Sequence, residues 1–110
     1  MLFRSIDVFA LDIVMLIHPE NGDRLELLHR PGSHAGLRAA TPPEAVLTLG
    51  FGHMAFDVSP LDVTFDRLLG LGARSVMPPR PSPEPGVRMA FVADPEGNLI
   101  ELLDRSGSAA

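Results

Sequence analysis

Two segments of the sequence, residues 18–30 and 94–105, repeat one pattern. Each is a turn rich in Pro, Gly, Asn and acidic residues, followed by a run of leucines that holds one glutamate, Glu26 or Glu101. The first copy has one extra residue, and its Asn-Gly pair is a strong hairpin signal. An internal repeat indicates related supersecondary units that pack as a series. We therefore expect two copies of one hairpin-based module.

The apolar pattern predicts a single helix among several strands. Ser59 is expected as the N-cap and Pro60 as the first helical residue, with Gly70 and Gly72 at the end. Residues 31–46 are predicted to be a linker, and the five prolines of residues 78–86 to form a loop that closes as a lid. Strands are predicted at residues 8–17, 24–29, 47–58, 73–77, 87–93 and 99–104.

Composition limits the possible functions. The chain has 110 residues, a net charge of −5 and no cysteine, so thiolate metal sites and cysteine nucleophiles are excluded. No run of Lys and Arg offers a surface for nucleic acid or an anionic membrane. Arg4 and Asp7 interrupt the N-terminus too early for a secretory signal. We expect a cytoplasmic protein that binds no nucleic acid and no membrane.

The two in-strand glutamates are unusual, because a buried carboxylate needs a cation, a donor or a metal as partner. Strand alternation could instead turn them to solvent, but Leu28 shares a face with Glu26, and Leu99 and Leu103 share one with Glu101. A lined cavity is therefore favoured. His53, in Gly-His-Met-Ala-Phe-Asp, is the third candidate, although a lone strand histidine is more often structural.

Residues 53–58, the helix and residues 91–102 together resemble the C-terminal module of the vicinal oxygen chelate superfamily. This superfamily includes glyoxalase I, methylmalonyl-CoA epimerase, extradiol dioxygenases and the fosfomycin and bleomycin resistance proteins. The resemblance implies an α+β fold of paired βαβββ modules forming a cupped mixed β-sheet, with the first module lacking its first strand and helix. It implies a single glyoxalase-like domain over residues 1–110, divided into a partial first module (1–30), the linker, a complete module (47–105) and a tail (106–110).

The resemblance also implies a metal site. His53 matches the first-strand ligand of the second module, Glu101 its last-strand ligand and Glu26 the last-strand ligand of the first module. In the second module, His53 comes well before Glu101 in the sequence. A fourth ligand at the same distance before Glu26 would fall ahead of residue 1. A longer chain, a second chain that supplies the missing edge, and three ligands plus water are the open explanations. We expect a homodimer.

One imidazole and two carboxylates suit a divalent ion such as Zn, Ni, Mn or Fe. The main expectation is a glyoxalase-like metal-dependent lyase or isomerase, in which Glu101 or Glu26 moves a proton and the metal stabilises an enediolate of a small-molecule substrate. An extradiol-type dioxygenase and a non-catalytic binding protein of the bleomycin-resistance type are the alternatives. A second metal site at His29 and His34 is disfavoured, and Arg88 is expected to face solvent.

Overall fold

The chain forms two compact units, Met1–Gly36 and Leu37–Ala110. The computed structural model describes residues 2–6, 11–36 and 40–107. The predicted start of the first long strand, part of the predicted linker and the end of the tail lie outside the described residues. No helix among the described residues is long and apolar enough to cross a membrane.

The first unit is a three-stranded antiparallel sheet in the order β1-β2-β3. The strands are β1 (Leu2–Ile6), β2 (Leu11–Ile17) and β3 (Arg24–His29). The predicted hairpin is thus confirmed over its described residues, whereas β1 was not predicted. Gly22 takes a φ of 78° in the turn between β2 and β3, a conformation that glycine adopts without strain.

Apolar side chains of the first unit remain in contact with solvent. Leu16, Leu27 and Leu28 are 37%, 49% and 59% exposed, and Leu25 is the one half-buried residue of β3. The part of this unit that the structure describes contains no helix to cover either face of the sheet.

The second unit contains the complete βαβββ module. Its strands β4 to β7 form one sheet in the order β4-β7-β6-β5, with β4 parallel to β7 and the other pairs antiparallel. The elements are a short helix α1 (Pro42–Leu47), then β4 (Met54–Asp57), α2 (Leu61–Gly70), β5 (Arg74–Pro81), β6 (Arg88–Ala93) and β7 (Leu99–Asp104). The predicted α+β class is confirmed, and the described strands form two sheets in which most neighbouring strands are antiparallel.

The core of the second unit lies between α2 and one face of this sheet. Alternate residues of β6 and β7 point to the helix, because successive strand side chains face opposite sides. Every central member of the core is at most 5% exposed, and the set comprises Leu61, Phe65, Ala90, Val92 and Leu102. The opposite face of β6 and β7 therefore carries Phe91 and Glu101.

The start of α2 differs from the prediction by one residue. Pro60, not Ser59, occupies the N-cap position, and no side chain of the cap residue accepts a hydrogen bond from the helix. The acceptor is supplied from β7, where Asp104 Oδ2 accepts from the Leu61 N–H at 3.0 Å. Asp104 is buried, so a carboxylate fixes the helix start to the end of the last strand.

The predicted linker and the strand predicted at residues 47–58 are partly wrong. Helix α1 begins within the linker, where Thr41 Oγ1 accepts from the Glu44 N–H and Glu44 Oε2 accepts from the Ala40 N–H. This is a variant of the capping-box arrangement, which satisfies free N–H groups at a helix start. After α1 the chain turns at Gly50, whose φ is 111°, so β4 is restricted to four residues.

The predicted proline loop is also partly wrong, since β5 extends through Pro78 and Pro79 to Pro81. Strand β5 lies at the edge of the sheet, where a residue without an N–H is tolerated, and its register shifts at two places. The remaining loop is short, and Ser82 N–H donates to the Val87 carbonyl at its base. The expected lid over residues 78–86 is therefore replaced by an edge strand and a tight turn.

Candidate functional site

His53 and Glu101 are in contact in the second unit. His53 Nε2 lies 3.2 Å from Glu101 Oε1, and because an ionised carboxylate only accepts, Nε2–H is the donor. The Glu101 side chain is 16% exposed and that of His53 is 32% exposed. The expected covered face at Glu101 is thus present, and the two residues suspected from the sequence share one hydrogen bond.

Strand register explains this contact. Ala55 of β4 lies beside Glu101 of the parallel strand β7, and His53 precedes Ala55 by two residues, which places both side chains on the face opposite α2. On the next strand Phe91 lies opposite Glu101. The His53 and Phe91 rings meet edge to face, with centroids 5.1 Å apart and an interplanar angle of 75°. Phe91 is 3% exposed, so it holds the imidazole against the buried part of the sheet.

Glu26 lies in the first unit on β3, opposite Met15, and is exposed. The expectation of a covered face at Glu26 is therefore wrong for this unit, because the neighbouring Leu28 is exposed as well. The equivalence with Glu101 nevertheless extends to the register, since each glutamate pairs with a large apolar residue of the preceding strand. The predicted role of Glu26 as a third ligand stays a prediction.

The donor chemistry of His53 and Glu101 fits part of a divalent metal site. Imidazole nitrogen and carboxylate oxygen are ligands that Zn, Mn, Ni and Fe share. Within the described residues of either unit, no group of three or more His, Asp or Glu side chains is placed to hold an ion. The second unit thus brings together two of the three predicted ligands.

A cleft adjoins this pair. It has a volume of about 230 Å³ and is lined by Ala45, Val46, Gly52 and His53. Gly52 lies against α1, because a Cβ built on it would come within 3.2 Å of the Ala45 Cβ. A glycine in strand-like sequence often marks the close approach of another backbone, but the sequence analysis did not identify α1 as that partner.

The remaining candidates form ion pairs at the surface or remain exposed. Arg88 donates to both carboxylate oxygens of Asp62, and this hydrogen bonding lowers the pKa of Asp62 and raises that of Arg88. Arg88 is exposed as predicted. His29 and His34 are exposed too, and His29 Nδ1 lies 3.7 Å from Asp12 Oδ2.

A second ion cluster ties the turn after β5 to the end of the sheet. Arg105 donates to Asp57 Oδ1 at 3.1 Å and to Glu84 Oε2 at 2.9 Å, and the Glu84 carboxylate raises the pKa of the Arg105 guanidinium. Asp104 accepts from the Ser106 hydroxyl and N–H, and these bonds lower its pKa. These contacts are structural, since none involves His53 or Glu101.

Known proteins share this fold and sequence pattern. The chain is 39% identical over 57 residues to a probable lactoylglutathione lyase of Synechocystis sp., an alignment covering 52% of this chain and 44% of that protein. The crystal structure of a glyoxalase family protein from Bacillus cereus matches with a TM-score of 0.67 and 28% identity, covering 86% of this chain and 61% of that one. The chain thus spans less than half of the curated relative's length.

The sequence profile of one family covers most of the chain. It matches residues 8–102, which include the first copy of the repeat, most of the second copy and all three predicted site residues. Together with the βαβββ module of the second unit, this match decides the family. The chain belongs to the Glyoxalase/Bleomycin resistance protein/Dioxygenase superfamily.

Proposed function

We propose that this protein is a metal-dependent lyase or isomerase of the glyoxalase type. Its substrate would be a small molecule with two adjacent oxygens, and the reaction would move a proton on a carbon next to a carbonyl. The observation that carries the proposal is the 3.2 Å contact between His53, directly before β4, and Glu101 of the neighbouring strand β7. Support for the reaction class comes from the similarity to a protein named as a probable lactoylglutathione lyase.

His53 and Glu101 would hold the ion, with Glu26 of the same chain or of a second copy as the third ligand. A divalent ion at this place supplies Lewis-acid stabilisation of negative charge that develops on two adjacent substrate oxygens. To act as a ligand, His53 must carry its proton on Nδ1, so that the Nε2 lone pair is free. The contact with Phe91 keeps the ring in place during this change of tautomer.

A glutamate performs the proton transfer in this proposal. A carboxylate near the substrate carbon accepts the proton and returns it to the neighbouring carbon, which is general base and then general acid catalysis. Glu101 is mostly shielded and already bonded to His53, whereas Glu26 is exposed. We therefore assign the mobile base to Glu26 and the firmly held ligand to Glu101.

The proposed assembly is a homodimer. The exposed leucines of the first unit, Leu27 and Leu28, are about half uncovered, and a sheet with apolar side chains in solvent favours association. A dimer also offers a second Glu26 to each pair of ligands in the second unit.

A binding protein of the bleomycin-resistance type, without metal, is the second candidate. The observation in its favour is that the described residues of the second unit bring only two ligand-type side chains, His53 and Glu101, together at this site. Such a protein would use the same face of the sheet to bind a small molecule without converting it into a product.

Metal content by elemental mass spectrometry, with molar mass by light scattering on the same sample, tests the proposal. We expect about one Zn, Ni, Mn or Fe per chain in a dimer. Reduced occupancy is expected in H53A and in E101Q, with H34A as the control because His34 is exposed and lies in the first unit. Full occupancy in both variants would contradict the assignment, and a metal-free dimer after reconstitution would favour the binding protein.

The loaded protein should then be assayed for isomerisation of a thiol hemithioacetal of an α-oxoaldehyde. Turnover that is independent of oxygen supports the lyase or isomerase. Oxygen uptake with a catechol would instead identify the extradiol-type dioxygenase.

A further inference from the structure

The cleft beside His53 has a distinctive lining. Of its four lining residues, Ala45 and Val46 have apolar side chains, Gly52 has none, and His53 is the single polar side chain. The same imidazole contacts Glu101, so the cleft opens next to the proposed metal ligands. A group bound in the cleft would therefore lie beside the reacting part of a substrate.

The cleft depends on the packing of α1 against the chain just before β4. A Cβ on Gly52 would lie 3.2 Å from the Ala45 Cβ, closer than ordinary van der Waals contact, and 3.4 Å from the Ala45 carbonyl oxygen. Glycine thus lets the helix approach, and the Val46 side chain, 85% exposed, forms an open outer wall. Both walls belong to the second unit.

The volume of about 230 Å³ is sufficient for one ring or a branched aliphatic group, since an apolar cavity of about 150 Å³ accepts benzene. No charged side chain lines the α1 wall, so an anionic group would form no ion pair there. An apolar group would gain about 25 cal/mol of binding free energy for each Å² of its surface that is removed from water.

We infer that this cleft is the subsite for an apolar substituent on the carbon next to the substrate's paired oxygens. The inference rests on the proposed function, and it names the substrate class as α-hydroxy or α-oxo carbonyl compounds with an aromatic or branched side chain. Val46 is then a specificity-determining residue, and Ala45 limits the depth of the subsite.

Binding of three 2-hydroxy acids to the zinc-loaded full-length protein, measured by calorimetry, tests the inference. Glycolate, lactate and mandelate share two adjacent oxygens and differ in the substituent. We expect mandelate to bind roughly tenfold more tightly than glycolate, as partial burial of one ring predicts. The V46A variant should reduce this ratio and A45F should abolish it, with glycolate affinity unchanged.

The matched control is V63A, because Val63 is an exposed valine on α2 and lies outside the cleft. A ratio near one in the wild type, or a ratio that V46A leaves unchanged while glycolate binds, would overturn the subsite but leave the proposed function standing. Failure of all three acids to bind would count against the proposed metal site itself, and against the inference that rests on it.

A second measurement needs no metal. In the metal-free protein, benzyl alcohol should shift the imidazole resonances of His53 but not those of the exposed His34, and V46A should weaken the shift. Equal or absent shifts at both histidines would overturn the subsite independently of the metal.

Discussion

Glu26 and Glu101 occupy equivalent positions in the two units, yet Glu101 is 16% exposed at its side chain and Glu26 is exposed. Each lies opposite a large apolar residue of the preceding strand, Met15 or Phe91. The difference extends to their neighbours, because Leu103 on the face of Glu101 is half-buried, whereas the matching Leu28 on the face of Glu26 is 59% exposed. One sequence motif therefore yields a shielded carboxylate in one unit and an accessible one in the other.

This difference predicts unequal effects on metal affinity. E101Q should lower zinc affinity by more than the roughly 10- to 100-fold that loss of an outer hydrogen-bond partner typically costs, because Glu101 is already positioned against His53. E26Q should have a smaller effect on affinity and a larger one on turnover. Competition with a chromogenic chelator, followed by the hemithioacetal assay, measures both. Equal losses of affinity in the two variants would contradict the assigned roles.

The repeat also predicts unequal packing energies at Leu102 and Leu27, which hold matching positions. Leu102 is 2% exposed in the core against α2, and Leu27 is 49% exposed. L102A should reduce the free energy of unfolding by about 3 kcal/mol, since it removes buried methyl groups and leaves a cavity. L27A should reduce it by less than about 1 kcal/mol in the monomer. Urea denaturation measures both, and a large effect of L27A that grows with protein concentration would place Leu27 in an interface.

Asp104 predicts a loss of stability in acid. Its hydrogen bonds to Ser106 lower its pKa in the folded state, so the folded protein binds fewer protons than the unfolded chain. Its contribution is therefore complete above the ordinary aspartate pKa of about 3.9 and is lost as the pH falls through the lower folded value. D104N should lower the unfolding free energy at pH 7 and flatten its decline in acid.

D62N is the matched control for Asp104. Arg88 lowers the pKa of Asp62 as well, but both side chains are largely exposed and surface ion pairs stabilise little. Denaturation curves between pH 2 and pH 7, taken at constant ionic strength, distinguish the two carboxylates. If D62N flattened the acid decline and D104N did not, the helix-capping role of Asp104 would be wrong.

Much of the second unit followed from local sequence signals. The bounds predicted for β7 were correct, and the predicted turn before it is present, with Asp94 Oδ1 accepting from the N–H groups of Glu96 and Asn98. These features depend on residues close together in the chain, so propensity and turn chemistry determine them.

Features that depend on distant residues were missed. The acceptor for the Leu61 N–H comes from Asp104, 43 residues later, and no local pattern indicates that pairing. Strand β5 continues through prolines because its edge position leaves their missing N–H groups without consequence, which only the sheet order shows. The start of α1 did have a local signal, Thr41 followed by Glu44, but the adjacent prolines favoured a linker.

The first hairpin uses a histidine where the second uses an aspartate. His18 Nδ1 accepts from the N–H groups of Glu20 and Asn21 at 3.2 and 3.3 Å, the role that Asp94 has in the other turn. H18D should therefore keep the turn, whereas H18A should remove both bonds and destabilise the hairpin by less than about 1 kcal/mol, since the site is exposed. Amide hydrogen exchange at Glu20 and Asn21 measures this, and equal exchange in both variants would contradict it.

The absence of a side chain at Gly52 allows α1 to lie close to the chain segment that carries His53. The φ of Gly52 is not in the left-handed region, so G52A introduces no backbone strain, but the new Cβ meets Ala45 at 3.2 Å and α1 must move back by a few tenths of an ångström. Zinc affinity should be unchanged, because His53 and Glu101 are untouched, while the preference for mandelate over glycolate should fall.

G70A is the matched control for G52A, since a Cβ at Gly70 meets nothing within 4 Å and lies at the end of α2. The G70A variant should leave the preference for mandelate over glycolate unchanged. It should slightly raise the free energy of unfolding, because alanine has a higher helix propensity than glycine. Calorimetry with the two acids and thermal denaturation measure both effects. If G52A and G70A gave the same acid preference as the wild type, the spacing between α1 and His53 would not set the size of the subsite.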